Sequence, residues 1–153
     1  MKQLLLILFF FPLLIYSQAN LSFYDIKQIN SKQMFLKVVL ENGFQKSSDD
    51  WRLSYGYNLT KKDEGNTATT WASFYTSKEF RFDFYKANLE SVRIYERIVQ
   101  KIQTSCEFKK VRQEDSYDAI YYSCPGSKYI GWIGYYEDGD YKSIETSKSI
   151  VTD

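Results

Sequence analysis

From residue 80 to residue 84 the chain reads Phe-Arg-Phe-Asp-Phe, an apolar ring at every second position and a charge at each place between. Only an extended strand sends successive side chains to opposite faces. The run therefore predicts a strand, Phe80–Tyr85, with three phenyl rings on one side and Arg81 and Asp83 on the other. Such a strand belongs in a sheet with one covered face. The cover is legible a few residues later: behind an Asn88 cap, Leu89, Val92, Tyr95, Val99, Ile102 and Cys106 recur at spacings of 3, 3, 4, 3 and 4, the stripe of an amphipathic helix. A one-sided strand beside a one-sided helix points to the α+β class.

The remaining elements fit that class. Asn30 and Gln33 make a capping-box pattern ahead of Met34, Phe35, Val38 and Val39, which share one helical face, and Gly43 follows as a C′ glycine. The apolar run 21–29 reads equally as a short helix or an edge strand. Strands are predicted over 44–46, 52–59, 69–75, 80–85, 108–112, 117–123, 129–136 and 141–146, separated by polar turns that include Asp138-Gly139. Residues 147–153 read as a frayed tail.

One motif is written twice. Trp71-Ala72-Ser73-Phe74-Tyr75 returns sixty-one positions later as Trp132-Ile133-Gly134-Tyr135-Tyr136. The segments around the two copies agree in order: a helix, a short strand opening on Phe44 or Phe108, a tyrosine-rich strand, the Trp-bearing strand, and a closing strand. The expected fold is α+β, a single antiparallel sheet of seven or eight strands with two helices on one face, built from two αββββ units related by pseudo-twofold symmetry. The repeat halves would be 30–86 and 88–146. Edge-to-edge pairing of such units is similar in layout to folds resembling the TATA-binding protein. The likeness concerns arrangement alone and implies no DNA binding.

The N-terminus has a different character. Lys2 precedes twelve apolar residues, 4–15, and then Tyr16-Ser17-Gln18-Ala19, the pattern of a secretory signal peptide cleaved after 17 or 19. A membrane-spanning helix needs ~20 apolar residues, and no cysteine near the cleavage sites offers a lipid anchor. Removing 19 of the 153 residues leaves 134, the size of a single globular domain, 20–153. The expected location is secreted or periplasmic, with no membrane anchor in the mature chain. In such a compartment Cys106 and Cys124 are expected to pair, because a hairpin turning near 113–116 brings them together across its strand ends. With Lys2 gone, 19 basic residues face 19 acidic ones, a balance that recruits no nucleic acid.

Several chemistries are excluded by composition. The chain contains no histidine, which rules out Ser-His-Asp triads and histidine-based zinc sites, and two cysteines cannot complete a zinc tetrahedron. No metal, cofactor or catalytic residue is expected. Carboxylate pairs such as Asp83 with Glu90, or Glu137 with Asp140, are the remaining acid–base candidates. The stronger candidate is the sheet face opposite the helices. If Phe74 and Ile133 point to the helices, then Trp71, Tyr75, Trp132 and Tyr136 point away and form an aromatic platform for a glycan or an envelope protein. The competing readings are reversed facing, which would make these rings core, or cover by the N-terminal segment. The leading function is thus a small exported non-enzymatic binding module. The alternatives are an interaction or inhibitor protein working through hairpin loops near Asp138 and Lys61, and a carboxylate-only hydrolase.

Overall fold

A computed structural model describes residues 20–48, 53–62, 65–75, 79–125 and 131–147. The leader 1–19, Trp51, the start of the strand predicted at 129, and the tail 148–153 lie outside the described residues. Three helices, α1 (Phe23–Gln28), α2 (Lys32–Glu41) and α3 (Leu89–Ser105), accompany eight strands. These are β1 (Gln45–Lys46), β2 (Leu53–Tyr57), β3 (Thr70–Phe74), β4 (Phe80–Tyr85), β5 (Glu107–Gln113), β6 (Asp118–Ser123), β7 (Trp132–Asp138) and β8 (Tyr141–Ser147). All pair antiparallel in one sheet of order β1-β2-β3-β4-β8-β7-β6-β5. In that order β3 and β7, the two Trp-bearing strands, each lie third from an edge.

The ambiguous run 21–29 contains a helix, α1, so the structure has three helices where two were expected, and α1 packs on α2 and α3. Its start is a reciprocal capping box: Asp25 N–H donates to Ser22 Oγ, and Ser22 N–H donates to Asp25 Oδ2 at 2.8 Å. Phe23, Ile26 and Ile29 then fall on one face and are buried. In α2 the cap is Ser31, one residue beyond the predicted Asn30, and its Oγ accepts from Met34 N–H at 3.2 Å. The end of α2 follows prediction. Gly43 stands at φ 78°, with Gly43 N–H bonded to Leu40 O and Phe44 N–H to Val39 O, the paired bonds that close a helix on a left-handed glycine.

Helix α3 begins at the predicted Asn88, whose Oδ1 accepts from Ser91 N–H at 2.8 Å. Its buried face, however, runs through Ser91, Ile94, Tyr95, Ile98 and Ile102, and the predicted Leu89 is 65% exposed. The cause is a polar anchor. Ser91 Oγ donates to Thr69 O at 2.6 Å and lies 2.8 Å from Thr70 Oγ1, which turns the first helical turn toward β3. An apolar stripe alone does not reveal that rotation.

The core lies between the helices and one sheet face. Phe80, Phe82 and Phe84 are all buried there, as the alternation of β4 requires, together with Tyr55, Tyr57, Ala72, Ile133 and Ile144. Phe35 of α2 sits at the centre, its ring centroid within 5.2 to 6.2 Å of those of Tyr55, Phe74, Phe80 and Phe82. Cys106 caps α3 and Cys124 follows β6, and their sulfurs are at bonding distance, 2.13 Å. The hairpin between them pairs Phe108 with Tyr122, one residue off the register that Lys110 and Tyr121 keep nearer the turn, because a register shift falls between Phe108 and Lys110.

Candidate functional site

Because Phe74 and Ile133 pack toward the helices, the residues that alternate with them, Trp71, Ser73 and Tyr75 in and just after β3 and Trp132, Gly134 and Tyr136 in β7, face the other way. Trp71, Tyr75 and Trp132 are half-buried on that far face, and none belongs to the core cluster. Tyr136 shares the face but is only 5% exposed. Its ring is stacked under Tyr117 at 4.3 Å and 14°, and its hydroxyl accepts from Arg81 Nη1 at 3.4 Å. The four predicted rings therefore lie on one surface without forming one open platform. Tyr136 is the filling between two clefts.

Cross-strand register builds the floor. Ladder partners carry one row from Ser73 through Arg81, Glu145 and Gly134 to Tyr121, and a second from Gly56 through Trp71, Asp83 and Ser143 to Tyr136. In the first row Tyr121 lies across Gly134 and donates its hydroxyl hydrogen to Glu145 Oε1. Trp132 meets Tyr121 edge to face at 6.4 Å. The resulting cleft has a volume of about 280 Å³, with Tyr75, Tyr117, Tyr121 and Trp132 as apolar walls and Arg112 and Glu145 among its polar groups.

Glycine at 134 is a requirement of this geometry. A Cβ there would stand 2.5 Å from Tyr121 Cε1, inside any tolerated contact. Gly134→Ala is expected to destabilise the protein by about 1–3 kcal/mol as an overpacking change, and to break the Tyr121–Glu145 bond. Urea unfolding together with near-ultraviolet circular dichroism checks this. An unchanged midpoint with an unchanged aromatic spectrum would mean that Tyr121 does not rest on Gly134.

The second cleft, also about 280 Å³, is lined by Trp71, Arg81, Asp83, Tyr136, Asp138 and Ser143. Its centre is a buried polar network. Arg81 Nε is 3.0 Å from the Asp83 carboxylate, and Ser143 Oγ donates to Asp83 Oδ1 at 2.6 Å. Burial pushes the Asp83 carboxyl above its ordinary range, against the lowering pull of Arg81 and Ser143. Burial also works against the Arg81 charge, yet Asp83, Tyr136 and Tyr75 together hold the guanidinium above its ordinary range. In the first cleft burial, reinforced by the bond to Glu145, raises the Tyr121 hydroxyl, so that it stays a neutral donor.

Comparison with known proteins leaves this geometry to speak for itself: no family model, no curated protein and no solved structure matches the chain. The TATA-binding-protein layout thus has no structural match behind it.

The carboxylate pairs named from sequence are not brought together in either cleft. Asp83 is bonded on the far face, whereas Glu90 sits in the first turn of α3, across the sheet. Glu137 and Asp140 flank the β7–β8 turn, where Glu137 binds Lys142 and Lys86, and these bonds hold its carboxyl below the ordinary range. That cluster is the hairpin turn its Asp-Gly step predicts, with Gly139 at φ 50°. Among the described residues no group of three or more metal-ligating side chains converges. Sequence reasoning missed Tyr117, Tyr121, Arg112 and Glu145. The alternation of β6 places Tyr121 on one face, but its seat over Gly134 depends on a register that no local pattern contains.

Proposed function

We propose that the protein is a small exported binding module with a non-catalytic role, and that its ligand is a glycan held in the Trp132 cleft. The observation that carries the reading is the cleft itself, whose aromatic walls surround a few fixed polar groups. Sugar rings offer apolar C–H faces and hydroxyl edges, and half-buried tryptophan and tyrosine match the first while Glu145, Arg112 and the Tyr121 hydroxyl match the second. A rigid floor of ladder-paired strands keeps these groups in place without an ordering cost on binding. Export is supported by the leader pattern in 1–19 and by the bonding-distance pair Cys106–Cys124. Among the described residues no helix is long and apolar enough to cross a membrane.

Calorimetric titration of a saccharide panel into the mature protein tests the proposal. Binding is expected for at least one neutral saccharide, and Trp132→Ala is expected to weaken it tenfold or more while circular dichroism stays native. A dimer in sedimentation that Trp132→Ala dissociates, with no saccharide bound, would make this face a subunit interface instead.

A further inference from the structure

We infer that the far face holds two subsites, and that the Trp71 cleft is the second binding site of an uncharged oligosaccharide whose first units occupy the Trp132 cleft. The inference rests on the glycan reading above and adds the length and charge of the ligand. Both clefts open on the same face, and the echoed tryptophans are divided between them, Trp132 in one and Trp71 in the other. In the Trp132 cleft Tyr121 of β6 covers Gly134 of β7; in the other, Trp71 of β3 stands beside its ladder partner Gly56 of β2, where an added Cβ would meet Ala68 Cβ and Leu59 Cδ1 at 2.8 Å and the indole at 3.3 Å.

The partition between the clefts is narrow. Arg81 points its guanidinium at the Tyr136 hydroxyl and lies 5.9 Å from the Tyr75 ring, so one side chain touches a wall of both. The distance between the two indoles decides what kind of ligand can use them. Trp71 and Trp132 are on strands separated by β4 and β8, and the Trp71 row reaches β7 at Tyr136, four residues from Trp132. Three strand spacings and four residue rises place the two positions roughly 20 Å apart. One sugar ring cannot bridge that gap; a chain of them can.

Charge narrows the class further. Around the clefts stand the carboxylates Glu79, Glu114, Glu145, Asp83 and Asp138 and the cations Lys110, Arg112 and Arg81, so negative charge is in slight excess. A polyanionic glycan meets repulsion there, whereas a neutral one finds donors and acceptors of both kinds.

The test is calorimetry with neutral β-linked N-acetylglucosamine and glucose oligomers, each graded from one to six units, against the wild type, Trp71→Ala and Trp132→Ala. Wild-type affinity is expected to rise at least tenfold between the shortest ligand that binds and the longest. Trp71→Ala should abolish that gain and leave the shortest ligand unaffected, while Trp132→Ala weakens every length. If Trp71→Ala does not fold, Tyr141→Ala, at the rim of the same cleft, gives the same readout. An affinity independent of length, or a gain that survives loss of the Trp71 cleft, overturns the second subsite and leaves the first intact. A hexamer of an acidic sugar, titrated in parallel, should bind more weakly than the neutral hexamers, and tighter binding of the acidic one overturns the charge argument. Binding of no saccharide at any length overturns the glycan reading itself.

Discussion

Replacing Phe35 with alanine is expected to destabilise the protein by about 3–5 kcal/mol, the range for truncating a large ring in a packed core. Phe35 is fully buried, and its ring touches side chains from β2, β3 and β4 at once. The cavity it would leave is bounded on one side by a sheet whose strands are locked in register, so the walls can close only partly. Leu40, five residues further along α2 and 58% exposed, supplies the contrast. Leu40→Ala is expected to change stability by less than ~0.5 kcal/mol, as surface substitutions do. Urea unfolding of the two variants measures the difference, and a loss below about 1 kcal/mol for Phe35→Ala would mean that α2 does not dock on β2–β4 as described. Against a typical total of about 5–15 kcal/mol, the expected loss takes a large share of the folding free energy.

The second large effect belongs to the cysteine pair. A crosslink with a sequence separation of 18 residues restricts the unfolded chain and contributes roughly 3 kcal/mol in the chain-entropy model. It joins the C-terminal end of α3 to the end of β6, and so fastens the edge hairpin β5–β6 to the helical layer. The double variant Cys106→Ser, Cys124→Ser should lose about that amount and show faster amide exchange in β5 and β6 than in β4. Thiol titration of the unfolded, unreduced protein should find no reactive sulfhydryl. Two free thiols in protein from its native compartment would refute the crosslink, whatever the variant did.

Several features were legible from local pattern because the physics behind them is local. The alternation of residues 80–84 is a statement about backbone pleat, and all three phenylalanines are in the core. Asn88 and Gly43 end helices through bonds to residues within a few positions, and both occupy the predicted places. The run 21–29 was undecided because its apolar spacing suits two periods; the Ser22–Asp25 box decides for the helix. Leu89 was misplaced for a different reason. The rotation of α3 is set by Ser91 bonding to Thr69 and Thr70, more than twenty residues earlier in the chain.

The same division runs through the candidate site. Sequence alone divided the echoed motif into two sets by position parity, Ala72, Phe74 and Ile133 on one side and Trp71, Tyr75, Trp132 and Tyr136 on the other; which set meets the helices was decided by the packing of Ala72, Phe74 and Ile133 against the core. Only the tertiary structure decided which of those rings borders open space. Tyr136 is covered because Tyr117 stacks on it and Arg81 reaches it across β8, and the Trp132 cleft exists because Tyr121 finds a glycine to rest on. Those neighbours are fixed by the pairing register of strands far apart in the chain. Parity groups the rings on one face, packing chooses which face that is, and register chooses what stands beside each ring on it.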